Sequence, residues 1–452
     1  MTGAIANGSS DYSPRAEDVA DPSLLSARAA TAAVRAGKLT ASALLEACLS
    51  RIDEREPNVR AWSHLDPQAA REQASRADER QCASEFLGPL HGLPIGVKDV
   101  FDTRDMPSEY GSALLRGRRP EMDAAAVAVL RRAGAIVIGK TATSEFGMYH
   151  PSQTRDPRDL SRSPGVSSAG SAAAVVDHMV PLALGTQHTA STTLPASFCG
   201  AFAFKPSLGF TSMEGSNILV PRLAHVGFLA RSVDDLALFA GVFDSALDPI
   251  ASEDDTPAPR LALVRGPGWE TVSSHARAAL DTLLSSLPTA VPELPLPDEF
   301  DRALEVTLGL LNAHLANSFG NLPPQDFALL CPPLRAGVEA GRALSAVRYL
   351  ELDDMANRLA ATAATLFEHH DVLVTLSTPG EATRLEDGPG SGVMPMPWSL
   401  CGLPTVSLPL LQGAQGLPIG VQLIGPRGRD RDLLQAAAWL VRACADFPRE
   451  KV

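Results

Sequence analysis

Hydrophobic and polar positions along the chain change period several times. From Leu24 to Arg35, and again from Thr40 to about Arg55, apolar residues recur at helical spacing, so two amphipathic helices open the fold, with Thr40 or Ser42 as N-cap of the second. From residue 88 the texture changes to Gly88-Pro-Leu-His-Gly-Leu-Pro-Ile-Gly-Val-Lys-Asp99, a short apolar strand bracketed by glycine and proline and ending on a lysine. A helical pattern over Asp123–Ala133 runs into a strand at Ala135–Ile138, a helix-to-strand unit typical of α/β sheets.

Residues 161–210 are dense in Gly, Ser, Thr and Ala, yet Ala172–Val176 and Val180–Leu184 read as buried helix and strand. Such a segment is too apolar for a linker. Between about 250 and 330 a Pro- and Leu-rich text predicts a peripheral helical insertion with irregular connections. Strand signals return at Asp371–Thr375, Pro404–Leu408 and Gly420–Gly425, and an apolar helix from about Arg431 to Ala445 closes the chain. The alternation of the two periods predicts an α/β fold in one continuous domain.

Composition changes this picture little. At about 150 residues per domain the 452 residues would allow three domains, but no linker divides them. With 45% hydrophobic and 20% charged residues the chain is of ordinary globular composition. Its net charge of −13 disfavours binding to nucleic acid, which needs a basic face. Six cysteines, at 48, 82, 199, 331, 401 and 444, form no CxxC pair and no metal-ligand spacing, and read as reduced, mostly core thiols of a cytoplasmic protein. Residues 1–21 are polar and acidic, which predicts a flexible segment without a signal peptide. The apolar runs are far shorter than the roughly 20 residues that cross a bilayer, so no membrane span is expected.

Three features carry candidate chemistry by residue type: Lys98 at the end of a buried-looking strand, the Ser167-Ser168 pair in a Gly/Ala/Ser loop, and Ser191 in a Thr/Ala/Ser run. Serine is a weak nucleophile without a base in hydrogen-bond reach, and lysine becomes such a base only when desolvation lowers its pKa from about 10.4. A strand-end lysine is usually a solvated charge, and a Ser-rich loop is usually a turn or an anion nest. Composition alone does not choose between these readings.

The stretches Gly88 to Asp99, Ser163-Pro-Gly-Val-Ser-Ser-Ala-Gly-Ser-Ala-Ala-Ala174, Leu184-Gly-Thr-Gln187, Pro195-Ala-Ser-Phe-Cys-Gly200 and Lys205-Pro206 resemble, in order and spacing, the amidase signature family. The likeness extends to Asp123–Gly147, Gly402-Leu-Pro404 and Gly416–Gly425, and so covers most of 22–445, with 250–370 unmatched in detail. The resemblance implies a single large domain over 22–452, built on a twisted mixed β-sheet covered by helices on both faces. The helical region at about 250–370 would shape the substrate pocket. It further implies amide hydrolysis by a Ser/cis-Ser/Lys triad of Ser191, Ser167 and Lys98, without cofactor or metal. Neutral Lys98 would draw a proton from Ser167 and Ser167 one from Ser191, which forms an acyl-enzyme. Backbone N–H groups of His188, Thr189, Ala190 and Ser191 would face the oxyanion, with Ser168 in support.

Several positions depart from the family pattern. Val166 stands where a glycine usually precedes the cis-serine, and a cis non-proline peptide costs about 2.5–4 kcal/mol. Thr189-Ala190 replaces a glycine-containing pair, which would strain Ala190 if the backbone needs positive φ there. The arginine that usually follows the nucleophile is absent, Thr193 and Leu194 occupying its place, while Gln187 replaces an acid it can pair with. Leu194 argues for an uncharged or apolar acyl group, and Leu194 and His188 are expected in the pocket wall. Cys199 reads as core, and Asp123 and Glu145 as structural caps or pairs. The expected partner is a small-molecule amide, and a homodimer is a possible assembly. Two alternatives stand beside hydrolysis: an acyl- or amido-transferring enzyme of the amidotransferase type with the same triad, and a degenerate non-catalytic scaffold.

Overall fold

In the computed structural model, which describes residues 21–148, 150–249 and 257–445, the chain runs α1 (Ala27–Arg35), α2 (Ala41–Val59), β1 (Trp62–Leu65), α3 (Pro67–Cys82), β2 (Pro94–Lys98), α4 (Ala125–Arg132), β3 (Ile136–Thr141), α5 (Ala169–Val176), β4 (Leu182–Gln187), α6 (Thr193–Cys199), β5 (Phe202–Lys205), β6 (His225–Ala230), α7 (Val233–Gly241), β7 (Leu261–Leu263), α8 (Ser274–Ser286), α9 (Ala303–Phe319), α10 (Pro324–Phe327), α11 (Pro332–Arg342), α12 (Ala346–Thr365), β8 (Val372–Leu376), α13 (Met396–Leu400), β9 (Thr405–Gln412), β10 (Pro418–Ile424) and α14 (Asp430–Ala443). Apart from Asp21, the segment expected to be flexible lies outside the described residues.

One ten-stranded mixed sheet joins all strands in the order β1-β3-β2-β4-β6-β5-β9-β10-β8-β7. β2 lies parallel to both β3 and β4, and β7 parallel to β8, while the remaining neighbours are antiparallel. Side chains alternate across each strand, and this sorts the core into two layers. Val137, Leu182, Leu184, Phe204 and Phe228 pack into one buried cluster with α7, α9 and α14. Ile136, Ile138, Ala183, Ala203 and Leu229 face the other way, into a cluster with α2, α3 and α5. A sheet buried on both faces explains why its strands read as continuous apolar runs.

Expected boundaries move in places, for local reasons. Thr40 is the N-cap of α2, accepting from the Ala43 N–H, and the helix continues past Arg55 to Val59. Residues 22–24 form a 3-10 turn, so the first helix starts after Ser26, whose hydroxyl caps it. The insertion expected at 250–330 is not purely helical: Leu261–Leu263 adds an edge strand, too short to display alternation in sequence. Short β1, β5 and β6 were equally invisible as period-2 patterns.

Parallel pairing of β2 with β4 brings the carboxyl ends of two neighbouring strands together, where α/β sheets commonly bind ligands. α5, whose N-cap is Ser168, enters β4, and β4 leads through residues 188–192 into α6. The start of α5 sits directly on the β3 exit: a Cβ added at Gly170 would lie 2.5 Å from Ala142 N and 2.7 Å from Ala142 O. Gly170→Ala is therefore expected to lower the unfolding free energy by about 1–3 kcal/mol in denaturant titration, through overpacking against rigid backbone.

Candidate active site

Lys98 is the last residue of β2 and is fully buried. Next in register to Val97, it points to the opposite face, towards the start of α5. Its Nζ is hydrogen-bonded to Ser167 Oγ, and it donates to Ser168 Oγ at 3.0 Å and Thr186 Oγ1 at 2.8 Å, with the Thr186 carbonyl at 3.5 Å. Three hydroxyls and a carbonyl surround the amine, and burial holds its pKa well below the ordinary lysine range. The carboxylate beside it in sequence points away: Asp99 pairs with Lys140 at 3.1 Å, and Lys140 is also held by the Phe101 carbonyl and Ser108 Oγ.

The Ser167–Ser168 turn depends on close approach to β4. A Cβ on Gly185 would lie 2.8 Å from Ser168 Oγ, so glycine is the residue that admits the loop. Ser168 donates its hydroxyl proton to the Thr186 carbonyl at 3.2 Å and accepts from the Thr186 N–H at 3.3 Å. Its own N–H donates to the Ser191 carbonyl at 3.2 Å, which ties the two serine loops together.

The cis geometry implied for Ser167 is not what the structure has. Among the described residues the cis peptide is Asp248–Pro249, and the Val166–Ser167 bond is trans. Ser167 instead takes a left-handed φ of 67°. A β-branched residue before the bond and a non-proline after it leave the cis form without the tertiary-amide relief that proline supplies.

Ser191 is 8% exposed and lies in the turn between β4 and α6. Gln187 holds that turn by its side-chain amide. Oε1 accepts from the N–H groups of Thr192 and Thr193, both at 2.9 Å, and from Thr193 Oγ1 at 3.1 Å, while Nε2 donates to Ser399 Oγ at 2.9 Å. Ser399 in turn donates to the Thr189 carbonyl at 2.7 Å. The backbone N–H groups of residues 188–191 meet no acceptor among the described residues. Ala190 is not among the residues with positive φ, so its methyl group brings no left-handed strain.

Leu194 is 2% exposed and packs with Ala190, Phe198 and Ala382 behind the nucleophile loop. Cys199 is buried with a thiol pKa well above the ordinary value, as an inert core residue has it. Asp123 pairs with Arg131 at 3.3 Å, and Glu145 accepts from Ser112 Oγ at 2.7 Å and from the Cys331 N–H at 2.8 Å. His188 is buried, its imidazole pKa pushed down to about 3 by desolvation first, then by Lys98 and His314. Thr186 and Ser399 escaped the reading of the sequence. Thr186 could have been noticed as the hydroxyl at the end of the strand beside Lys98, whereas nothing local marks Ser399. Among the described residues no group of three or more His, Cys, Asp or Glu side chains could hold a metal ion, and no helix is long and apolar enough to cross a membrane.

Comparison with known proteins agrees with the fold. The Amidase family model matches residues 43–434, and the chain belongs to that family. Among its relatives, a glutamyl-tRNA(Gln) amidotransferase subunit from Chloroflexus aggregans is 35% identical over 89% of this chain and 92% of the relative. A putative amidase, AmiD, of Mycobacterium tuberculosis is 29% identical over 92% of this chain and 94% of its own length. The structure of the peptide amidase from Stenotrophomonas maltophilia superposes with a TM-score of 0.79, at 26% identity, over 92% of this chain and 96% of that one.

Because Gln187 satisfies four polar partners at once, Gln187→Leu should lower the unfolding free energy by about 2–3 kcal/mol in chemical denaturation, the cost of leaving buried donors unpaired. Gln187→Glu, which keeps the acceptor, should cost less.

Proposed function

We propose that the chain hydrolyses the C–N bond of a small, uncharged carboxamide or aryl/alkyl amide, a linear amide rather than a peptide, through an acyl-enzyme on Ser191. The observation that carries this reading is a buried lysine cradled by hydroxyls, Ser167 Oγ among them, with the next residue, Ser168, tied to the Ser191 carbonyl of a turn whose four N–H groups meet no acceptor among the described residues. A neutral primary amine has two N–H donors and one lone pair. Ser168 Oγ and Thr186 Oγ1 take the donors. Ser168 spends its own proton on the Thr186 carbonyl, so the lone pair is left for the Ser167 hydroxyl. Lys98 therefore accepts the Ser167 proton as Ser167 accepts that of Ser191, and Ser191 Oγ attacks the carbonyl carbon. The oxygen acquires its charge among the N–H groups of residues 188–191, where losing one donor costs roughly 3–4 kcal/mol in other hydrolases. Run in reverse, the relay protonates the leaving nitrogen as the C–N bond breaks. Water then attacks the acyl-enzyme over the same relay and releases the acid and Ser191.

The rest of the reading follows from the surroundings. The described part of residues 250–370 forms one side of the pocket: His314 of α9 lies within electrostatic reach of His188, and Phe319 packs on Phe146 with ring centroids 4.7 Å apart. Leu194 acts on the acyl side by supporting Ala190. The cysteines form no disulfide among the described residues, which suits a cytoplasmic setting. A second reading is favoured by the amidotransferase relatives: ammonia expelled as the same acyl-enzyme forms would be handed on within a complex instead of being released. Ammonia formed from glutamine only in the presence of a partner protein would select it.

A fluorophosphonate should label Ser191 in the wild type and not in Ser191→Ala, and ammonia should appear from primary amides. Well-folded protein that resists labelling would mean a non-catalytic scaffold. Lys98→Ala should keep the fold and lose several orders of magnitude in kcat. Since only deprotonated Lys98 can accept a proton and its folded pKa is lowered, kcat/KM should already be at its plateau well below pH 10.5, and should fall on the acid side as Lys98 protonates.

A further inference from the structure

A buried side-chain nitrogen of the Ser191 loop also has no hydrogen-bond partner among the described residues. His188 follows Gln187 in the nucleophile loop, is 4% exposed, and leaves Nε2 buried without a hydrogen bond. A buried imidazole nitrogen left unpaired is costly, and native structures rarely keep one without reason. His225 on β6 shares the feature, but its Nδ1 is engaged by the Leu223 and Gln187 carbonyls and it sits within the sheet. His188 instead belongs to the loop that carries Ser191, within electrostatic range of Lys98 and of His314 on α9.

The chemistry of the cleft narrows what could complete His188. Gly147 lies beside the relay, since a Cβ there would be 3.3 Å from Ser167 Oγ, and the neighbouring Phe146 ring packs on Phe319. That side is apolar. The leaving nitrogen must face Ser167, which delivers its proton, so the loop side chain at 188 is left for the acyl part. The nearby carboxylates are committed elsewhere, Asp99 to Lys140 and Glu145 to Ser112 and the Cys331 N–H. Both imidazoles are held towards the neutral form by desolvation. Neither imidazole is thereby held as a cation for a free carboxylate on the substrate.

We propose that His188 Nε2 reads an uncharged hydrogen-bonding group, such as a hydroxyl or amide, on the acyl side of the substrate close to the scissile carbonyl. This rests on the amide-binding reading of the site and makes His188 its specificity determinant. A site built to pair with a polar group rejects the isostere that lacks it, because the protein atom is then left unpaired.

Binding can be measured without turnover, on the Ser191→Ala protein, with two isosteric primary amides: lactamide, which carries an α-hydroxyl, and isobutyramide, which carries a methyl group instead. Calorimetry is expected to give an approximately tenfold lower Kd for lactamide. The preference should vanish in Ser191→Ala/His188→Leu and persist in Ser191→Ala/His188→Gln, whose amide reaches the position of Nε2. Equal binding of the two amides, or a preference that survives His188→Leu, would overturn the assignment. Failure of the hydrolase reading shows separately, as absence of fluorophosphonate labelling on the wild type.

Discussion

A lysine removed from water without a counter-charge is the constraint on which this structure depends. An isolated buried ammonium is costly enough that the group gives up its proton instead. Lys98 meets that condition because the sheet is covered on both faces and because its immediate neighbours are hydroxyls and one carbonyl. A carboxylate in that cradle would restore the charge and remove the base. The strand itself avoids this: Asp99 follows Lys98 in sequence, yet it is drawn off by Lys140, itself buried and held by Phe101 O and Ser108. The Asp99–Lys140 pair thereby keeps an anion out of the relay.

The nucleophile loop is built on the same avoidance of charge. Where relatives of this family can use an acid with an arginine, this chain has Gln187 and no arginine at 193 or 194. The amide replaces both, its oxygen collecting the N–H groups that open α6 and its nitrogen reaching Ser399. An acid at 187 would accept the same donors but could not donate to Ser399, whose hydroxyl holds the Thr189 carbonyl. The paired loss of acid and arginine thus leaves no orphan and places no net charge beside Lys98.

Much of the fold was legible because its signals are local. A capping hydroxyl marked α2, and apolar runs marked β2, β4 and β10. Lys98 was legible as a lysine at the end of such a run. What escaped depends on contacts distant in sequence. β7 has only three residues and exists because β8, more than a hundred residues later, offers it an edge. Thr186 and Ser399 are ordinary hydroxyls until Lys98 and Gln187 meet them. The backbone at Ser167 escaped as well: the likeness implied a cis bond, but with Val166 in place the chain turns through a left-handed φ and still delivers Ser167 Oγ to Lys98. The contact is what the sequence pattern encoded; the backbone route to it is particular to this chain.

The separation of chemistry from selection also has a structural basis. Lys98, Ser167 and Ser191 come from a strand end and turns within 98–191, held by hydrogen bonds and by the close approach of Gly170 and Gly185. The helices of the insertion reach the site only from the side, at His314 and Phe319. They are fastened there by Phe146, whose ring packs at a tilt on Phe319, and by Glu145, whose carboxylate bridges Ser112 and the N–H of Cys331 at the head of α11. Substitutions along α9 therefore act on this flank and leave the backbone that carries Lys98, Ser167 and Ser191 untouched. Residues 145–147 join the two parts, because Gly147 lies beside Ser167, where an added Cβ would come within 3.3 Å of Oγ, and Glu145 holds the head of α11.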